Sequence, residues 1–113
     1  MEHAPMDIAR INEHADDAAE LLTILANPNR LMVLCNLLNG EMAVLPLAES
    51  VGMTQSALSQ QLAKLRALKL VETRRDGRTI YYRLASEKVE RLLGTLYDIY
   101  CVIPGNGGLA EAA

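Results

Sequence analysis

From Asp7 to Asn27 the apolar residues Ile8, Ile11, Ala15, Ala18, Leu22 and Leu25 recur every three or four positions with acids between them. That period predicts an amphipathic first helix. Asn27-Pro28 supplies a capping side chain followed by proline, so a second helix opens there and carries Leu31, Leu34, Cys35 and Leu38 on one face until Asn39-Gly40 ends it. A short third helix is predicted from Pro46 to Gly52, where a missing side chain suits a tight turn. Thr54 caps the fourth, about Thr54 to Leu68, which turns Leu58, Leu62 and Leu65 inward and leaves Gln55, Ser56, Ser59, Gln60, Lys64 and Arg66 outside.

The period then drops to two. The segments Val71-Glu-Thr-Arg-Arg75 and Arg78-Thr-Ile-Tyr-Tyr-Arg-Leu84 flank Asp76-Gly77, which predicts a two-stranded hairpin closed by a type I′ turn, with Ile80, Tyr82 and Leu84 inward. A last helix from about Ser86 carries Val89, Leu92, Leu93, Leu96, Ile99 and Tyr100, and Pro104-Gly105 stops it. The Gly- and Ala-rich residues 104–113 are expected to be a disordered tail, leaving residues 1–103 as one domain.

Helix, short helix, glycine turn, second helix and hairpin is the order of a winged helix-turn-helix, mainly α with a small β-hairpin. Pro46 to Val51 is then the positioning helix and Thr54 to Leu68 the recognition helix. Gln55 and Gln60 offer amides able to pair with adenine in the major groove, and Ser56 and Ser59 are short enough to reach a base edge or a phosphate. Lys64, Arg74, Arg75 and Arg78 are the candidate phosphate contacts, the three arginines clustering around the hairpin tip.

The net charge of −3 looks wrong for such a role. Its distribution corrects the impression: residues 64–91 hold nine bases and four acids, a balance of +5, while the remainder stands at −8. Double-stranded DNA is therefore the expected partner. With no Phe, no Trp and four Tyr, the chain has no platform for stacking single-stranded bases. No apolar run approaches the roughly 18 residues of a membrane span, and the acidic first residues fit no export signal, so a cytoplasmic location is expected. Neither a Ser-His-Asp set nor a glycine-rich phosphate loop is present to suggest an enzyme. A winged helix that binds an acidic protein instead of DNA is the alternative.

In a chain of 113 residues, a three-helix motif and a hairpin cannot cover two further amphipathic helices. Pairing the first and last helices across a two-fold axis buries both, so a homodimer is expected, set on an inverted repeat with half-sites about 34 Å apart. Two cysteines, Cys35 and Cys101, are too few for a disulfide scaffold or a zinc finger. On their own they read equally as core thiols or as a redox pair.

Leu58-Ser-Gln-Gln-Leu-Ala-Lys-Leu-Arg66, preceded by Asn27-Pro-Asn-Arg-Leu31 and followed by a hairpin ending Tyr81-Tyr-Arg-Leu84, resembles the ArsR/SmtB family of dimeric winged-helix repressors over about residues 16 to 101. Many members have His where this chain has Gln61. Metal-sensing members carry Cys-x-Cys on the third helix, where this chain has Ala43 and Leu45, and those with zinc sites on the last helix use Asp and His, whereas His3 and His14 both lie upstream. No metal or other cofactor is therefore expected, with a metal-responsive repressor kept as an alternative. The positions of Cys35 and Cys101 are similar to those of a persulfide- and redox-sensing branch, the BigR, SqrR, HlyU and YgaV regulators. That resemblance implies a repressor released from its operator when reactive sulfur species or an oxidant bridge the two thiols.

Overall fold

The computed structural model describes residues 5–102, which form six α-helices and a three-stranded sheet. Asp7 caps α1 (Ile8–Asn12), its Oδ1 accepting from the Ala9 and Arg10 amides at 3.1 and 3.4 Å. The predicted single first helix is in fact two, α1 and α2 (Ala15–Leu25), separated by a tight turn in which the His14 amide donates to the Ile11 carbonyl. The break has a packing cause. Ile8 and Ile11 are exposed, so little packing holds the first turns in line with α2, and a short helix with little tertiary support is marginal.

The inward face of α2 is also rotated from the expected one: Leu25 is buried and Leu21 and Ile24 pack against the core, while Leu22 is exposed. Asn27 caps α3 (Pro28–Asn36) through an Oδ1 that accepts from the Arg30 amide at 3.0 Å. A single 3₁₀ turn, Leu37–Asn39, carries the chain from α3 to Gly40. Next comes β1 (Met42–Ala43), a strand too short to leave a period in the sequence, and then α4 (Val44–Val51). Gly52 takes the left-handed conformation (φ 68°) just beyond α4, and the Met53 amide reaches back to the Ala48 carbonyl at 3.0 Å.

After α5 (Gln55–Ala67), β2 (Val71–Asp76) and β3 (Thr79–Leu84) pair antiparallel, and β1 joins β3 to give the order β1-β3-β2. The hairpin forms as predicted, but Ile80, expected inward, is exposed near the tip, and the turn is of another type. With Asp76 opposite Thr79, the central residues are Gly77 and Arg78, and of these only Gly77 has positive φ (64°). That is the pattern of a type II′ turn, whereas type I′ needs positive φ at both positions.

Ser86 caps α6 (Glu87–Tyr97), which a single π turn, Asp98–Val102, prolongs. Val89 and Leu93 are buried, but Ile99 and Tyr100, expected on the same inner stripe, are exposed. The predicted stop at Pro104-Gly105 and the tail lie outside the described residues. Leu34, Leu47, Leu58, Leu62, Leu65 and Leu93 centre a core between α3, α4, α5, α6 and the sheet. The radius of gyration, 16.3 Å, exceeds the roughly 13 Å of a compact chain of about 100 residues. The first and last helices leave Ile8, Ile11, Leu22, Tyr97, Tyr100 and Val102 open to solvent.

Candidate nucleic-acid interface and thiol pair

Leu58, Leu62 and Leu65, each fully buried, anchor one face of α5 and thereby aim the other outward. Gln55, Ser56, Ser59, Gln60 and Lys64, the residues picked out for DNA contact, are all exposed on that outer face. Thr54 Oγ1 accepts from the Ala57 amide at 3.1 Å, fixing the helix start where base contact would begin. At the other end the Leu70 amide donates to the Leu65 carbonyl and the Lys69 amide to the Arg66 carbonyl, both at 2.9 Å. This Schellman motif requires a left-handed residue, and Lys69 (φ 62°) occupies it where glycine is usual. Without a glycine at that position the motif leaves no mark in the sequence.

On the hairpin, Val71, Thr73 and Arg75 lie opposite Leu84, Tyr82 and Ile80, and this row begins in the core and runs out to the exposed tip. Arg75 and Arg78 stand exposed at the tip and make no ion pair or side-chain hydrogen bond among the described residues. Arg74, grouped with them by sequence, lies on the opposite face of the strand and is engaged: its Nε lies 3.0 and 3.1 Å from the two Glu41 carboxylate oxygens, and Nη2 donates to Oε1. Its guanidinium also lies over the Tyr81 ring, 4.8 Å from the centroid. The hydrogen bond from Arg74 holds the Glu41 carboxyl below the ordinary carboxylate range, and the same bond raises Arg74. Beside this pair Arg83 Nε donates to Glu72 Oε1 at 3.2 Å.

Glu41 and Tyr81 are residues that sequence reasoning did not single out. Gln61, half-buried on α5, has a buried Oε1 with no hydrogen-bond partner among the described residues.

Cys35 and Cys101 are both free thiols. Cys35 is half-buried on α3 against the core, and burial pushes its thiol above the ordinary value. Cys101 is exposed in the π turn after α6. The two therefore differ in access: Cys101 meets a reagent in solvent directly, and Cys35 is shielded, with burial disfavouring its thiolate. Among the described residues no group of three or more His, Cys, Asp or Glu side chains is placed to hold a metal. No single helix among them is long and apolar enough to cross a membrane.

Residues 27–73 match the profile of the arsR family of bacterial regulatory proteins. The chain is 55% identical over 89 residues to the nodulation protein NolR of Rhizobium meliloti, spanning 79% of this chain and 73% of that one. It is 43% identical over 102 residues to a biofilm growth-associated repressor of Agrobacterium fabrum, spanning 86% and 87% of the two. Among solved structures, the transcriptional repressor BigR from Xylella fastidiosa superposes with a TM-score of 0.79 at 42% identity, covering 85% of this chain and 98% of that one. The last two of these are repressors.

Proposed function

The chain belongs to the ArsR family of DNA-binding, winged-helix transcription regulators, and from that membership we propose that it is a homodimeric repressor released from its operator when Cys35 and Cys101 are bridged by reactive sulfur. The exposed row of Gln55, Ser56, Ser59, Gln60 and Lys64 on α5 supports base and phosphate contact in the major groove, with Arg75 and Arg78 on neighbouring phosphates. The apolar residues exposed on α1, α2, α6 and the π turn support a dimer joined through the first and last helices. Such a dimer presents two copies of α5 to an inverted repeat. A regulator of this kind works in the cytoplasm, where the DNA is.

The observation that carries the sensing step is that both thiols are free, one shielded on α3 and the other exposed in the turn after α6. The Cys101 thiolate attacks the sulfane sulfur of a persulfide or polysulfide and takes it up as Cys101–S–SH, expelling a thiolate from the persulfide or a sulfide chain one sulfur shorter from the polysulfide. The Cys35 thiolate then attacks the modified Cys101 and displaces hydrogen sulfide, which closes a disulfide; alternatively, an oxidant or acceptor disulfide takes up two electrons and the bridge retains the extra sulfur. A link between α3 and the end of α6 changes the relative placement of the two copies of α5, and operator affinity falls.

The test uses the full chain, a polysulfide donor and a duplex selected from a random pool by the reduced protein. Cys35→Ser and Cys101→Ser each bind that duplex like the wild type and no longer let go on treatment. A Cys35→Ser protein that still lets go overturns the sensing step.

A further inference from the structure

Arg74 is placed to do something its neighbours at the tip do not. Across the sheet it lies beside Tyr81 of β3, and Tyr81 in turn lies beside Ala43 of β1. Glu41, two residues before Ala43, is on the same face by strand alternation. The Arg74 side chain leaves β2, crosses the Tyr81 ring and ends on the Glu41 carboxylate, so one residue spans the width of the sheet.

We infer that Arg74 is a positioning residue of the wing: braced on Tyr81 and held by Glu41, it fixes the hairpin against the segment linking α3 to α4, and makes no phosphate contact itself. To reach DNA its guanidinium would have to abandon a two-pronged, charge-assisted bond and a cation–π contact. Arg75 and Arg78 have no such bonds to give up. The segment that carries Glu41 follows directly from the 3₁₀ turn that ends α3, so the brace also ties the wing to the helix bearing Cys35. Both partners keep substantial exposure, 45% for the Arg74 side chain and 31% for Glu41, so the brace sets orientation without dominating stability.

The inference rests on the wing contacts proposed above, and salt dependence separates the two. With the selected duplex, dissociation constants are measured across a salt series for the wild type and for Arg75→Ala, Arg78→Ala, Glu41→Gln, Arg74→Gln and the Glu41→Gln/Arg74→Gln double variant. Arg75→Ala and Arg78→Ala lower the slope of log K against log salt by about 0.9 for each phosphate left without its cation. If neither does, the wing reading fails and the role of Arg74 falls with it.

Glu41→Gln and Arg74→Gln each weaken binding about two- to fivefold at unchanged slope, and the double variant is no weaker than the singles. If Arg74 were itself a phosphate contact, Arg74→Gln would lower the slope and Glu41→Gln, by freeing the guanidinium, would leave binding unchanged or tighten it. Either result overturns the inference while leaving the wing reading intact. Hydrogen exchange in the β1–β3 ladder, measured without DNA, checks the brace directly: it quickens in both single variants, and unchanged exchange contradicts the brace.

Discussion

The Leu70 amide donates to the carbonyl of Leu65 at 2.9 Å, and this bond sets the angle at which the wing leaves the recognition helix. It can form only because Lys69, between them, takes a left-handed conformation that costs a residue with a side chain about 1–2 kcal/mol. Lys69→Gly relieves that strain, and the greater backbone freedom of glycine in the unfolded chain offsets part of the relief. A net stabilisation of about 0.5–1 kcal/mol is expected, read as a higher urea midpoint at unchanged m value.

The exposed apolar residues of the first and last helices predict the outcome of a charge substitution there. Leu22→Glu combined with Tyr100→Glu leaves the core untouched, since both side chains are exposed, at 55% and 62%. Sedimentation is expected to show the dimer giving way to monomer with little change in helical content. By contrast Leu62→Ala, in the core, is expected to cost about 2–5 kcal/mol of folding stability.

The base and phosphate contacts proposed for α5 separate by their response to sequence and to salt. Gln60→Ala is expected to relax discrimination at one base position by about 1–3 kcal/mol with the salt slope unchanged. Lys64→Ala is expected to weaken binding to all sequences alike and to flatten the slope by about 0.9, the share of one neutralised phosphate. Competition between selected and scrambled duplexes across a salt series reads both effects.

Glu41 makes a prediction in acid. Its carboxyl is held below the ordinary range by Arg74, so the folded state favours the ionised form and gains stability above the ordinary carboxylate value. That gain disappears as pH falls through the lowered value, where protonation releases Arg74. Glu41→Gln should therefore narrow its stability difference from the wild type as the pH is taken down through that window, and urea unfolding at a series of pH values checks it.

Much of this was legible in the sequence because its signals are local. Asn27-Pro28 and Thr54 are helix starts whose capping chemistry is carried by the residue itself, and both cap as expected; the last helix also begins where its period predicts, at Ser86. Leu58, Leu62 and Leu65 fixed the orientation of α5, and with it the exposure of Gln55 and Gln60. What escaped depends on residues distant in the chain. Glu41 lies thirty-three positions from Arg74 and meets it only because a two-residue strand, too short to show a period, pairs with β3. The rotated face of α2 had a similar cause: both Leu21 and Leu22 fit a helical period, and only the location of the core decided between them.

If the proposed sensing step is right, bridging Cys35 to Cys101 and release from DNA are one event. The most direct test treats the protein–duplex complex with a substoichiometric polysulfide donor, separates bound from free protein, and takes the intact mass of each under non-reducing conditions. Thiol-bearing protein is expected in the bound fraction and internally bridged protein in the free one. Bridged protein spread equally through both fractions would contradict the link between the two thiols and DNA release.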